Sequence, residues 1–335
     1  MNLQKKKRLL AALAACLALS GCAADARPLA TAVPEQTPGA VLQPSGGEKP
    51  EIPGKLEVGK DGQPVLSVYD VKRSQVVTMP IEDYLLGVLA GEMHGDWPLE
   101  ALKAQAILAR TFVLKFVQDK ESRYPGANIS TDIEEAQAYE PAAVNDNIRQ
   151  AVAETDGLVL SSGGELPYAW FHAHSGGKTA LAKEGLDYQK EEPPYTQSVE
   201  GMESDEADEE AAQWEVSFPA AEVMKAAQQV GATGNQLAEI AVSERGASGR
   251  ATKIAINGKS VSAAAFRIAL GSTQMRSTLI DSLTFSDGKV VISGRGYGHG
   301  VGMSQWGAYA MAKSGKSARE IVTHYFQDVQ VVRLW

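Results

Sequence analysis

The sequence predicts an α+β fold. Short runs alternate apolar and polar residues, as half-buried strands do, from Val65 to Val71, Gln75 to Met79 and Trp214 to Phe218. In two adjacent segments between them, apolar residues recur every three and four positions, the spacing of amphipathic helices. Strands and helices succeed one another with no repeating strand–helix–strand rhythm and no internal repeat, which argues against a parallel doubly wound sheet.

The elements follow in order. Val65 to Val71 and Gln75 to Met79 read as paired strands. Glu82 to Met93 reads as a helix with Leu85, Leu86, Val88 and Leu89 on its apolar face. Asp96 and Pro98 precede a second helix, on which Leu99, Leu102, Ala106, Ala109, Val113 and Phe116 form the apolar stripe. Leu158 to Ser161 and Glu165 to His172 flank Gly163-Gly164 and predict a hairpin. Trp214 to Phe218 and Glu239 to Val242 read as strands, and Asp287-Gly288 joins Leu283 to Phe285 with Val290 to Ile292. Ser317 and Glu320 predict a capping box on a last helix through Tyr325.

The N-terminus has a different character. Lys5 to Arg8 are basic, and Leu9 to Leu19 is apolar but too short to span a bilayer. Leu19-Ser20-Gly21-Cys22 resembles a bacterial lipobox. We therefore expect residues 1–21 to be a lipoprotein signal peptide, cleaved before a lipidated Cys22. The alternative is an ordinary signal with cleavage near Ala23 or Ala24. Residues 22–62 are rich in Pro, Gly, Ala, Glu and Gln and are expected to be a flexible tether. Residues 63–335 form the body. The other cysteine, Cys16, lies in the signal, so the body carries no thiol. Disulfide scaffolds and all-cysteine metal sites are thereby excluded. With 32 Lys and Arg against 41 Asp and Glu, the chain has a net charge of −9 and no basic footprint for nucleic acid. Glu203 to Glu210 crowds six carboxylates together. It lacks the spacing of a calcium loop and is read as a solvated surface loop.

Three segments carry candidate chemistry. In the first, Glu92 sits near the end of an apolar helix beside Ala90 and Gly91. Apolar surroundings raise a carboxyl pKa, as a general acid requires, although Glu92 could equally be a solvated helix end. Gln105 and Arg110 lie on the following helix. In the second, His172 and His174 alternate and would share a strand face, open either to a metal or to substrate and core polar groups. Ser175, Gly176, Gly177, Lys178 and Thr179 form a turn whose open amides would suit a polar ligand. The glycine spacing is not that of a phosphate-binding loop. In the third, Gly294, Gly296, Gly298, Gly300 and Gly302 alternate with Arg295, Tyr297, His299 and Val301, ahead of Ser304, Gln305 and Trp306. Such a glycine run suits a backbone that approaches a ligand. A dinucleotide fingerprint is rejected, because no βαβ unit follows. Tyr297, Trp306 and Tyr309 are candidate sugar-stacking faces.

Together these segments resemble the stage II sporulation protein D family, which includes the amidase enhancers. The resemblance rests on PLEALKAQAILART, FHAHSGGKT, PYTQSVE, SERGASGRATKI, FRIALGSTQMRST and GYGHGVGMSQWGA in that order, and spans the body. It implies a peptidoglycan lytic transglycosylase that cleaves the MurNAc–GlcNAc bond of stem-peptide-free strands and leaves 1,6-anhydro ends. It also implies Glu92 as the single catalytic acid; the length of the body, roughly 270 residues, leaves room for two lobes with a glycan groove between them. Gln105, Arg110, His172, Ser175, Gly176, Gly177, Lys178, Tyr297, His299, Ser304 and Gln305 are expected to line that groove. No cofactor is expected. Some relatives bind zinc through His and Cys between the catalytic helix and the element here read as Gln137-Ala138-Tyr139. Arg123 to Glu140 contains neither residue, so no metal is expected. The expected partners are glycan strands, a cell-wall amidase and, through the lipid, the outer face of the cytoplasmic membrane. The alternative functions are a non-catalytic, glycan-binding amidase enhancer and a hydrolytic muramidase.

Overall fold

The computed structural model describes residues 43–335, and the signal segment and Cys22 lie outside them. Strands and helices are mixed, and the sheets are small and chiefly antiparallel, as an α+β fold requires. The first sheet runs Glu57–Val58, Pro64–Asp70, Gln75–Pro80, with Ile129–Ser130 added in parallel to Pro64–Asp70. Helices Ile81–Glu92 and Leu99–Asp119 follow. Pro80 and Pro98 stand at their N-caps, where the fixed φ of proline leads into a helix and its missing N–H costs no bond. Glu82, Asp83 and Glu100 in the first turns complement the helix dipoles.

Two large hydrophobic cores result. One gathers Leu66, Leu85, Leu89, Ile107 and Leu160 with Met303, Ile321, Phe326 and Val331 from the end of the chain. The other is built wholly from residues between Trp214 and Ile292. In that part, Gln213–Pro219, Lys289–Arg295 and Ile280–Ser286 form one three-stranded sheet, and Ile240–Arg245, Ala251–Ile256 and Lys259–Ser262 form another. Helices Ala220–Gln229 and Ala263–Leu270 pack with them. The expected Asp287-Gly288 turn is present, with both residues at positive φ (50° and 72°). So is the capping box, in which Ser317 and Glu320 satisfy each other's backbone N–H groups.

Two expectations change. Gly163 and Gly164 do turn the chain, and Ser162 pairs with Glu165. The hairpin then stops, because Pro167 has no N–H to continue a ladder. Leu158–Ser161 pairs instead with Gln330–Arg333, and Phe171–His172 lies parallel to Met303–Ser304. The ordered body also begins before residue 63. Pro50, Pro53 and Leu56 are buried, Ser45 donates its N–H to Val331 O, and Glu48 O accepts the Ser161 hydroxyl. Pro50 and Pro53 are thus buried where a solvated tether was expected, and residues 22–42 of that segment lie outside the described residues.

Candidate catalytic site around Glu92

Glu92 closes the Ile81–Glu92 helix and is half-buried. The Ala138 N–H donates to its Oε1 at 2.6 Å, and Gln305 Nε2 lies 3.4 Å from Oε2. Small residues let the Gln137–Tyr139 segment come this close. A Cβ on Gly87 would meet the Tyr139 ring at 2.3 Å. The small residues of this helix end are therefore covered by the chain itself. Burial pushes the Glu92 carboxyl up from its ordinary value, and the Ala138 amide and Gln305 oppose part of that rise.

The residues after Glu92 and Gln305 build an aromatic wall. His94 stacks on Trp97 (5.4 Å between centroids), Trp97 lies 4.5 Å from Trp306, and Tyr309 sits edge-on to Trp306. Trp97 and Trp306 are nearly buried, while His94 is exposed and Tyr309 half-exposed. A half-buried, desolvated carboxyl can act as a proton donor to a ligand, and the parts of this wall open to one are His94 and Tyr309.

Among the expected groove residues, the structure joins Gln305 to Glu92 by this direct contact. Arg110 does not face a groove. It is fully buried, forms a bidentate ion pair with Glu82 (2.8 and 2.6 Å) and donates to Leu158 O. Gln105 is fully buried as well.

The turn Ser175–Thr179 keeps few amides open. Ser175 N–H donates to Glu203 Oε1, Gly176 N–H to His174 Nδ1, and Gly177 N–H to Ser175 Oγ. Arg250 reaches the carbonyls of Ser175 and Lys178. The Lys178 side chain is half-exposed and Gly177 is exposed.

The glycine run likewise packs on protein. A Cβ on Gly298 would meet His172 Cβ at 2.6 Å, one on Gly300 the Arg250 guanidinium at 2.3 Å, and one on Gly302 the Trp170 carbonyl at 2.1 Å. Positive φ at Gly296, Gly298, Gly300 and Gly302 makes the zigzag possible. Tyr297 is half-buried with the Arg276 guanidinium 5.2 Å from its ring centre.

His172 and His299 lie 5.7 Å apart between centroids. His172 Nδ1 contacts Val301 O at 3.2 Å, and Val301 N–H donates to His299 Nδ1. Burial drives both rings toward the neutral form, His299 down to about 3 and His172 well below its usual value. Arg267 and Arg250 add to the fall at His299. Among the described residues no three His, Cys, Asp or Glu side chains converge as a metal site would need.

The residue that pattern reading missed is Glu203. It belongs to the acidic run read as solvated, yet it is largely buried. It accepts from Ser175 N–H (2.8 Å) and the Ser304 hydroxyl (3.0 Å) and faces His174 Nε2 at 3.5 Å. Burial raises its carboxyl and lowers His174 to about 4. Ser304 also caps the helix Gln305–Lys313, so Glu203 is tied to the helix end that presents Gln305. The rest of the run is only partly free: Glu206 pairs with Lys313 and Tyr309, and Glu210 with Arg276. A run of like charges in sequence carries no signal that one member turns inward.

A family model described as stage II sporulation protein matches residues 69–161, and a second, described as a domain of unknown function, matches residues 180–302. Stage II sporulation protein D of Bacillus amyloliquefaciens is 31% identical over 295 residues, covering 84% of this chain and 82% of that protein. The protein of the same name in Bacillus subtilis (strain 168) is 31% identical over 287 residues, 79% of this chain and 78% of its own length. The amidase enhancer of Bacillus subtilis is 28% identical over 289 residues, 72% of this chain but 39% of that longer protein. An uncharacterized protein of Brachyspira hyodysenteriae is 31% identical over 260 residues, 75% of this chain and 66% of its own. The chain belongs to the stage II sporulation protein D family.

Proposed function

We propose that the chain acts on the bacterial cell wall as a lytic transglycosylase, with Glu92 as its single acid and base. The observation that carries this reading is the setting of Glu92. It is half-buried, raised by desolvation, and gripped on one oxygen by the Ala138 amide. An N–H donor on Oε1 favours the proton on Oε2, the oxygen that faces Gln305. The Gln305 amide can donate to the carboxylate or, after rotation, accept from the acid, so it serves both protonation states.

The reaction then needs no second carboxylate. Glu92 gives its proton to the glycosidic oxygen between MurNAc and GlcNAc as the C1–O bond breaks. The 6-hydroxyl of the same MurNAc bonds to C1, and its proton returns to Glu92. The products are a GlcNAc hydroxyl end and a 1,6-anhydro-MurNAc end, with no water consumed. Stem-peptide-free strands are the proposed substrate, and the amidase enhancer relative supports an amidase as partner. A lipid on Cys22 would hold the enzyme at the outer face of the cytoplasmic membrane. A Cys22→Ala chain released from the membrane fraction would support that placement.

Incubation with peptide-free glycan, followed by mass spectrometry, tests the chemistry. Anhydro ends that fall by roughly 10²–10⁴ in rate with Glu92→Gln support it. Reducing ends would mark a hydrolytic muramidase. Acceleration of an amidase with no glycan products would mark a glycan-binding enhancer.

A further inference from the structure

A cup of about 220 Å³ lies at the far end of the Leu99–Asp119 helix. Its walls are Phe112, Phe116, Tyr168, Trp170, Leu186 and Tyr188. Tyr168 and Trp170 stack on each other, nearly parallel (5.0 Å, 16°), and Tyr188 stands edge-on to both. The rings of Tyr168, Trp170 and Tyr188 are only part-buried. Ligand pockets are concave and lined mainly by apolar and aromatic side chains, as this cup is. The cup is smaller than the ~300–1,000 Å³ of sites that enclose drug-sized ligands, and its size suits a single sugar ring.

Its rim carries charge. Lys115 stands over the Tyr168 ring and pairs with Asp119 at 3.2 Å, and Asp119 also accepts the Tyr168 hydroxyl. These two charges cancel. Lys120, over the Phe116 ring and exposed, makes no ion pair among the described residues. The cup therefore combines an aromatic lining with one unmatched cation.

Resting on the glycan-cleaving reading above, we propose that this cup is a second glycan-binding site, specific for a muramyl sugar with a free lactyl carboxylate. The sugar's apolar face lies against the aromatic lining of the cup, and Lys120 takes the carboxylate. A stem peptide converts that carboxylate to an amide and removes the charge that Lys120 recognises, so the cup selects stripped strands. The loop after Glu92 leads into the N-terminal end of the same helix. At 1.5 Å per residue, Phe116 is about 25 Å along the helix from Leu99. A strand long enough to reach both places is held at two points and gains effective concentration at Glu92.

The test measures equilibrium binding of labelled glycan to the full-length Glu92→Gln chain, so that no strand is cut. Tyr188→Ala should weaken binding of long peptide-free strands roughly tenfold, and Lys120→Gln roughly fivefold. Lys120→Gln should not alter binding of peptide-bearing strands or of neutral chitin oligosaccharides. In a chain with Glu92 intact, both variants should cut short peptide-free oligosaccharides at the unaltered rate. If neither substitution changes binding, and both chains melt as the parent does, the cup is not a glycan site. If Tyr188→Ala weakens binding but Lys120→Gln does not, selection by charge is overturned. Because the readout is binding by an inactivated chain, failure to find anhydro ends leaves the result intact. Normal cleavage with unaltered binding overturns the cup alone.

Discussion

Gly91 and Ala138 are in backbone contact: a Cβ on Gly91 would sit 2.7 Å from the Ala138 carbonyl carbon. The neighbour is main chain and cannot swing aside. Gly91→Ala should therefore push the Gln137–Tyr139 segment away from the helix and cost about 1–3 kcal/mol in stability. It should also remove the Ala138 donor from Glu92 and lower glycan cleavage by more than the loss of folded protein explains. Urea unfolding with parallel rate measurements separates the two effects.

Gln305→Ala removes a donor that holds the Glu92 carboxyl down. In the mechanism proposed above Glu92 acts in its protonated form, so activity is lost as pH rises through its pKa. Without Gln305 that pKa rises further, and the alkaline limb of the kcat/KM profile should move to higher pH. An alkaline limb that stays in place, with only KM altered, would assign Gln305 to substrate alone.

Arg110 is expected to govern folding and not substrate affinity. Arg110→Ala leaves Glu82 buried without its partner and should cost about 3–5 kcal/mol. Substituting Glu82 and Arg110 together by leucine should recover much of that loss. KM for glycan should remain that of the parent in the double variant.

His299 makes stability depend on acid. Its folded pKa is about 3, below the 6.5 of an unfolded histidine. Above pH 6.5 both states are neutral there. As pH falls from 6.5 toward 3, the unfolded chain takes up the proton first, and folding weakens by about 1.4 kcal/mol per pH unit. His299→Gln should flatten the slope of unfolding free energy against pH by about one proton in that window, whatever its effect on stability at neutral pH.

What was legible in the sequence was local. The Ile81–Glu92 and Leu99–Asp119 helices, the Asp287-Gly288 turn and the Ser317–Glu320 box each depend on neighbours within a few residues. The Asn257-Gly258 turn, which joins Ala251–Ile256 to Lys259–Ser262, is equally local. Contacts between distant segments were not legible. Val159 pairs with Val332, and Glu203 folds in under Ser175 and Ser304. The glycines after Gly294 signalled a close approach but not its object, which is the 170–176 segment and Arg250. Glu92 stood out because small and apolar residues surround a carboxyl. Lys120 and the three rings near it lie in separate stretches and meet only in the fold.

The core that contains Leu66 and Leu160 also takes in Met303, Tyr325 and Val332, whereas the Trp214–Ile292 core closes on its own residues. A chain made from its N-terminus therefore finishes its middle before its beginning. The early half, with Glu92 already synthesised, stays open until the last strand arrives, while the inserted middle can already be compact. Glu92 and Gln305, whose contact defines the candidate site, first meet when synthesis is nearly over. A chain cut short before residue 303 would carry the acid but not Gln305, the helix cap at Ser304 or the strand that closes the first core. If the chain cleaves glycan as proposed, its truncated products are thus expected to be inert toward glycan.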